Sequence, residues 1–224
     1  MFLSRLTLNP RNAQVRAELA RPYEMHRTLL NAFPQGKVRV ERDDDDAAGV
    51  LFRVDESPRD NRIVVLVQSQ AAPDWSFLNK RDARGHAYLH QPAEFKSFEL
   101  KLVAGQTLAF RLRANPTKRL GKGAGDDHHK RVGIYDEEGQ LKWLRRKAEA
   151  GGFCIVRAMV SRDERIENQE AIPRDDRRHD LKLFSVQFDG VLQIVNAADF
   201  CKTVTRGIGS AKGFGFGLLS LALA

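Results

Sequence analysis

The chain has 224 residues, 42% of them hydrophobic and 29% charged, with 37 lysines and arginines against 29 aspartates and glutamates and a pI near 9.7. This is the composition of a folded globular protein of one large domain or two of about 110 residues, and it excludes fibrous and intrinsically disordered classes. The cationic excess favours a polyanionic partner through counterion release, nucleic acid before an anionic membrane surface.

No stretch approaches the roughly 18 consecutive apolar residues of a membrane helix. The opening Met1-Phe2-Leu3-Ser4-Arg5 has no signal-peptide architecture, so a cytoplasmic protein without a membrane partner is expected. Cys154 and Cys201 stand far apart with no Cys-x-x-Cys spacing, which predicts buried apolar residues rather than a disulfide or a metal pair.

In chain order, Phe2 to Leu8 reads as a strand, and Asn9-Pro10 signals a helix running to Ala20. Arg21-Pro22 restarts it, and Met25, Leu29, Leu30 and Phe33 recur at helical spacing before Pro34-Gln35-Gly36. Asp43 to Asp46 marks an exposed acidic loop. Val50-Phe52-Val54 alternates as a strand, Pro58 to Asn61 turns, and Ile63 to Val67 suits a central strand. A short helix at Trp75 to Leu78 and a strand around Phe95 to Val103 complete a β-α-β-β-(α)-β half.

The second half begins with Leu108-Phe110-Leu112 alternating against Thr107, Arg111 and Arg113, which predicts one apolar and one cationic face. Lys118 to Arg131 reads as a basic, glycine-rich loop. Asp136 can cap a helix closed by Gly151-Gly152, and Phe153 to Val160 is a strand. Ser161 to Asp180 is charged and shows no apolar periodicity. Asp189-Gly190 between Leu181–Phe188 and Val191–Val195 is a hairpin signal, Asn196 caps a last helix through Val204, and Gly207 ends it. Two successive split β-α-β patterns predict an α+β protein of two tandem ferredoxin-like, RRM-like βαββαβ domains, at 1–104 and 105–224.

The run Gly207 to Gly217 holds five glycines in eleven positions, with Lys212 among them and an apolar segment after it. Such a segment can cradle a phosphate or form an ordinary turn before a strand. It lacks the Gly-x-x-x-x-Gly-Lys-Ser/Thr spacing of a P-loop. Lys212-Gly213-Phe214-Gly215-Phe216 is like the base-stacking strand of an RNA recognition domain, yet here the chain is seven residues from its end after Gly217.

Tyr23 and His26 lie three residues apart on one helix surface, a titratable imidazole beside a phenol. His26 falls within the apolar arc, where a histidine commonly serves packing, and the pair also suits proton transfer at a phosphodiester. Arg111, Arg113, Lys118 and Arg119 form a cationic segment that could meet a phosphate backbone. Arg174, Arg177, Arg178 and Lys182 make the long loop basic. Asp126-Asp127-His128-His129 is a poor metal set, and His86 and His90 have i,i+4 spacing without the glutamate of a zinc protease helix, so neither a metal nor another cofactor is expected.

Several blocks together resemble one family. Phe2 to Pro10, Pro22-Tyr23-Glu24-Met25-His26-Arg27-Thr28-Leu29, Val67-Gln68-Ser69, Pro73-Asp74-Trp75-Ser76, Arg111 to Arg119, Trp143-Leu144-Arg145-Arg146-Lys147 and the closing glycine run look like CasE, the CRISPR RNA-processing endoribonuclease of type I-E systems. The resemblance implies tandem ferredoxin-like domains and metal-independent cleavage of precursor RNA at the repeat stem-loop. It further implies retention on the product hairpin as a subunit of Cascade. It assigns proton transfer to His26 and phosphate orientation to Tyr23, and RNA contact to the glycine loop at Gly207, Gly209, Lys212 and Gly213. A third catalytic cation, which some relatives draw from the loop before the hairpin, could be Arg177, Arg178 or Lys182. The alternative to an enzyme is a non-catalytic RNA-binding module.

Overall fold

The computed structural model describes residues 1–33, 49–57, 60–120, 131–162 and 183–224. The Pro34-Gln35-Gly36 stop, the acidic loop, His128 and His129, and the basic loop residues Arg174, Arg177, Arg178 and Lys182 lie outside them. The chain forms two compact units, one of Met1–Lys101 with Thr205–Gly207 and Ala211–Leu218, the other of Leu102–Val204 with Ile208–Ser210 and Leu219–Ala224. Among the described residues no helix is long and apolar enough to cross a membrane.

The first unit contains β1 (Phe2–Leu8), α1 (Ala13–Ala20), α2 (Pro22–Leu30), β2 (Leu51–Ser57), β3 (Arg62–Ser69) and β4 (Glu94–Ser97). Its sheet runs β2-β3-β1-β4, with every pairing antiparallel. Helix α1 begins later than the Asn9-Pro10 signal predicts. Asn9 closes a turn by accepting from the Arg11 N–H, and Asn12 is the cap, its Oδ1 accepting from Gln14 and Val15 N–H at 2.9 and 3.1 Å. Pro22 then forces the corner between helices, because it has no N–H and bars αR geometry at the residue before it; Arg21 sits at φ −132°, ψ 79°.

Leu6, Leu8, Val15, Met25, Leu29, Phe52, Val65 and Val67 form the core of this unit, each 1% exposed or less. Where a second helix is expected, a single 3-10 turn at Ser76–Leu78 stands, followed by a tight turn in which Arg81 bridges Ala87. Trp75 anchors that turn by donating its indole N–H to Ser4 Oγ at 3.1 Å. The strand expected from Phe95 to Val103 shortens to Glu94–Ser97.

The second unit contains β5 (Thr107–Ala114), β6 (Thr117–Arg119), β7 (Arg131–Gly133), α3 (Glu137–Ala150), β8 (Phe153–Arg162), β9 (Val186–Ile194), α4 (Ala197–Arg206) and β10 (Leu219–Leu223). Its main sheet runs β10-β5-β9-β8. Counted within its own unit, each sheet has the strand order 4-1-3-2, so the repeated ferredoxin-like topology is present in both. Asp136 and Asn196 cap α3 and α4 as expected, Asp136 Oδ1 accepting from Gly139 N–H and Asn196 Oδ1 from Ala198 and Asp199 N–H.

Three expectations are corrected here. Asp189-Gly190 makes no hairpin but lies inside the continuous strand β9. The partner strand β8 bulges between Ile155 and Arg157, and a Cβ on Gly190 would stand 2.1 Å from the Arg157 carbonyl oxygen, so close strand approach demands this glycine. Lys118 and Arg119 belong to β6, paired with Val132 and Arg131, rather than to a loop. Cys154 is exposed and Cys201 is half-buried, and both are free.

Candidate active site

The first unit brings the Tyr23 and Phe52 rings and a glycine loop around His26, with Phe214 behind Tyr23. On α2 the buried face comprises Pro22, Met25, His26, Thr28 and Leu29, so His26, 9% exposed, faces inward with the apolar set. The imidazole stacks on Phe52 of β2, with centroids 5.9 Å apart and planes 12° apart. Tyr23, one turn earlier, lies 6.2 Å from it and 5.7 Å from Phe214.

The glycine loop closes the arrangement, with Gly213 beside His26 and Gly215 beside Phe52. After α4 the chain reverses at Gly207 with φ +76°, which a side chain would oppose on both conformation and space. Ala211 then takes φ +62° and Lys212–Phe214 form one 3-10 turn. Gly213 rests on the imidazole edge: a Cβ there would stand 3.3 Å from His26 Cδ2, 3.6 Å from His26 Nε2 and 3.7 Å from Tyr23 Cδ2. Phe214 and Phe216, 8% and 0% exposed, are core residues and cannot stack on bases. This loop, Ala211–Leu218, was expected in the C-terminal domain, and it packs in the first unit with α2 and β2.

Burial holds the His26 pKa below the ordinary histidine value, because desolvation penalises the imidazolium. Its Nδ1 is buried and has no hydrogen-bond partner among the described residues. A ring kept neutral at neutral pH, with its Cδ2–Nε2 edge turned toward backbone and a phenol alongside, can accept a proton at Nε2 and pass it on.

The other predicted site residues fall in several places. Arg111 is exposed on β5, and its Nε donates to Asp189 Oδ1 at 2.6 Å, so a carboxylate already offsets part of its charge. Arg113 is 4% exposed, so the cationic face expected on this strand reduces to Arg111. Lys118 and Arg119 are exposed, and Lys118 lines a cleft of about 420 Å³ with Lys142, Trp143 and Arg146. Gly209 packs on Trp143 in the second unit, whereas Gly207, Lys212 and Gly213 belong to the first. Among the described residues no group of three His, Cys, Asp or Glu side chains could hold a metal ion.

Two contributors escape sequence reasoning. The β2 alternation turns Phe52 inward without indicating that its ring lies under His26. The second is Glu18, 4% exposed, which accepts from Gln14 Nε2 at 2.6 Å, Thr28 Oγ1 at 2.7 Å and the Tyr88 hydroxyl at 2.5 Å. Burial, reinforced by that carboxylate, pushes the Tyr88 phenol well above its ordinary pKa. The hub ties α1 and α2 to the segment after the 3-10 turn, and so fixes the helix that carries Tyr23 and His26. A helical glutamate in a polar stretch gives no sequence signal for this.

Comparison with known proteins identifies the family. A family model described as CRISPR associated protein matches residues 1–222. The CRISPR-associated endoribonuclease Cse3 of Thermus thermophilus is 34% identical over 232 residues, covering 99% of this chain and 100% of the relative. The Cascade subunit CasE of Escherichia coli is 31% identical over 206 residues, covering 89% and 91%. A solved structure of Cse3 bound to a 19-nucleotide RNA superposes with a TM-score of 0.77 at 34% identity, covering 99% of this chain and all of that one. With the matching tandem ferredoxin-like topology, these likenesses establish that the chain belongs to the CRISPR-associated endoribonuclease family of Cse3 and CasE.

Proposed function

We propose that this protein is the endoribonuclease that cleaves CRISPR precursor RNA at the repeat stem-loop, with His26 as the proton-transfer group and Tyr23 orienting the scissile phosphate. The observation that carries the assignment is a buried imidazole stacked on the Phe52 ring, with its Cδ2–Nε2 edge beside Gly213 and Tyr23 alongside. In this scheme the His26 Nε2 edge takes the proton from the 2′-hydroxyl as its oxygen attacks phosphorus. The bond to the 5′-oxygen breaks, and that oxygen leaves with a proton returned from the His26 imidazolium, directly or through water, which restores the neutral ring. Products are a 2′,3′-cyclic phosphate, or the 3′-phosphate it hydrolyses to, and a 5′-hydroxyl.

Lys212, in the loop that packs beside His26, is assigned to phosphate charge, with Gly207 and Gly213 shaping the loop. The exposed cations Arg111, Lys118 and Arg119 are assigned to the RNA backbone, and Arg177, Arg178 and Lys182 remain candidates for a third catalytic cation. Arg113 and Gly209 support the fold around those contacts rather than touching RNA. The reaction requires no metal, and the protein works in the cytoplasm, holding the product hairpin as a Cascade subunit. The Cse3 relative captured with RNA and the CasE relative named as a Cascade subunit support this reading.

The test is single-turnover cleavage of a cognate repeat stem-loop. His26→Ala should abolish cleavage while RNA binding persists, a 2′-deoxy substitution 5′ of the scissile bond should block the wild-type enzyme, and EDTA should change nothing. Unaltered cleavage by His26→Ala would overturn the assignment, and loss on chelation with recovery on added metal would overturn metal independence.

A further inference from the structure

A second basic cleft lies in the first unit, away from His26. It has a volume of about 670 Å³ and is walled by the C-terminal end of β1, the turn into β3 and the segment around residues 81–91. Arg11, Arg62 and Arg81 line it with Asn61, His86 and His90. Phe52 pairs with Val67 and Val67 with Ser4, whereas the cleft wall begins at Thr7. The cleft is therefore offset from the catalytic ring by three or more residues along β1, about 10 Å or more.

Its charge is not neutralised locally. Asp60 is the one acidic side chain among the described lining residues, and it accepts from Ser57 Oγ at 3.0 Å. Asp82, nearby in sequence to Arg81, directs its carboxylate to the backbone N–H groups of Ala13, Arg84 and His86 instead. Arg81 is held by donating from Nη1 to the Gly85 carbonyl at 2.7 Å, which leaves guanidinium N–H groups for another acceptor. Arg11 and Arg62 are exposed and form no ion pair with a carboxylate among the described residues. Solvated surface arginines usually scatter or pair with acids. Three in one concavity, with amide and imidazole side chains between them, match a phosphate backbone and its bases rather than an acidic protein surface.

We propose that this cleft is a second RNA contact that binds the single strand flanking the repeat hairpin, with Arg11, Arg62 and Arg81 on its phosphates. The inference rests on the RNA-processing reading above and extends the footprint beyond the hairpin. Its electrostatic size follows from counterion release: three single-strand phosphate contacts contribute a salt slope of about −2, worth roughly 50-fold in affinity at about 0.15 M salt relative to 1 M.

The experiment compares full-length wild type with Arg11→Ala/Arg62→Ala/Arg81→Ala and with Arg62→Glu alone. The probes are three 2′-deoxy-blocked RNAs, namely the repeat hairpin, the hairpin with a 5′ single-stranded extension, and the hairpin with a 3′ extension, plus a polyglutamate peptide. The triple variant should bind the bare hairpin, and cleave its unblocked form, as wild type does. It should bind one extended RNA roughly 50-fold more weakly than wild type, with a salt slope shallower by about 2, and the affected extension identifies which flank the cleft holds. Arg62→Glu should show the same preference at smaller size. Equal binding of both extended RNAs by wild type and variants overturns the inference while the hairpin reading stands, as does displacement of extended RNA by polyglutamate in wild type but not in the variant. Failure of wild type to bind the hairpin overturns both.

Discussion

Replacing Gly213 tests the site through space alone. This glycine does not use a positive φ, so a side chain at 213 introduces no backbone strain. Its Cβ would meet His26 Cδ2 at 3.3 Å, inside the 3.5–4.0 Å of an ordinary carbon contact, so the ring or the loop must yield by a few tenths of an ångström. The ring has little freedom to shift, because His26 is 9% exposed and the fully buried Phe52 stacks on its face. If a misplacement of about 1 Å costs about 10²-fold in rate, a shift of a few tenths costs roughly 4- to 10-fold for Gly213→Ala, and the branched Gly213→Val approaches 10²-fold. Stability should hold or rise slightly, since removing a glycine restricts the unfolded chain by about 0.4–1 kcal/mol. Single-turnover cleavage of the repeat stem-loop, binding by fluorescence anisotropy and a thermal melt are measured on the same preparations. A wild-type rate in Gly213→Ala, or a rate loss accounted for by weaker binding, would refute the claim that the loop backbone sets the position of the imidazole.

Two further perturbations address the ring and its support. Because burial lowers the His26 pKa in the folded state, the unfolded chain binds the extra proton first; stability from this group is full above the ordinary histidine value of about 6.5 and is lost as pH falls below it, by up to about 1.4 kcal/mol per pH unit until the folded group titrates. Denaturant melts between pH 7 and 5 should thus fall less steeply for His26→Gln than for wild type, and parallel curves would contradict the lowered pKa. Glu18→Ala removes the acceptor of three side-chain donors and should cost about 3 kcal/mol, lowering the melting temperature by roughly 10 °C, whereas Tyr88→Phe should cost about a third of that. A melting temperature within 1 °C of wild type in Glu18→Ala would show that the hub does not support α2.

The readable parts of this chain are those where local chemistry and tertiary packing agree. Strand β1 spans Phe2–Leu8 as its pattern predicts, α2 starts at Pro22, and the caps at Asp136 and Asn196 stand where their side chains indicated. Asp189-Gly190 shows how agreement fails: the dipeptide suits a hairpin, but its glycine answers a bulge on a strand some thirty residues earlier, a demand invisible locally. Arg113 fails likewise, since strand alternation assigns its face without saying how deeply that face is covered.

The active site combines both kinds of signal. Tyr23 and His26 share a helix surface by spacing alone, and their apolar surroundings correctly indicate burial, but burial by itself favours a packing histidine over a catalyst. The contact that spacing could not reveal is with Gly213, nearly 190 residues later in the sequence. His26 has aromatic carbon on one face, Tyr23 alongside and, at its Cδ2–Nε2 edge, a residue with no side chain. The glycine at 213 is thus intelligible as clearance: a residue without a side chain lets backbone pack beside a ring whose burial disfavours the imidazolium, and the proposed proton transfer depends on that placement.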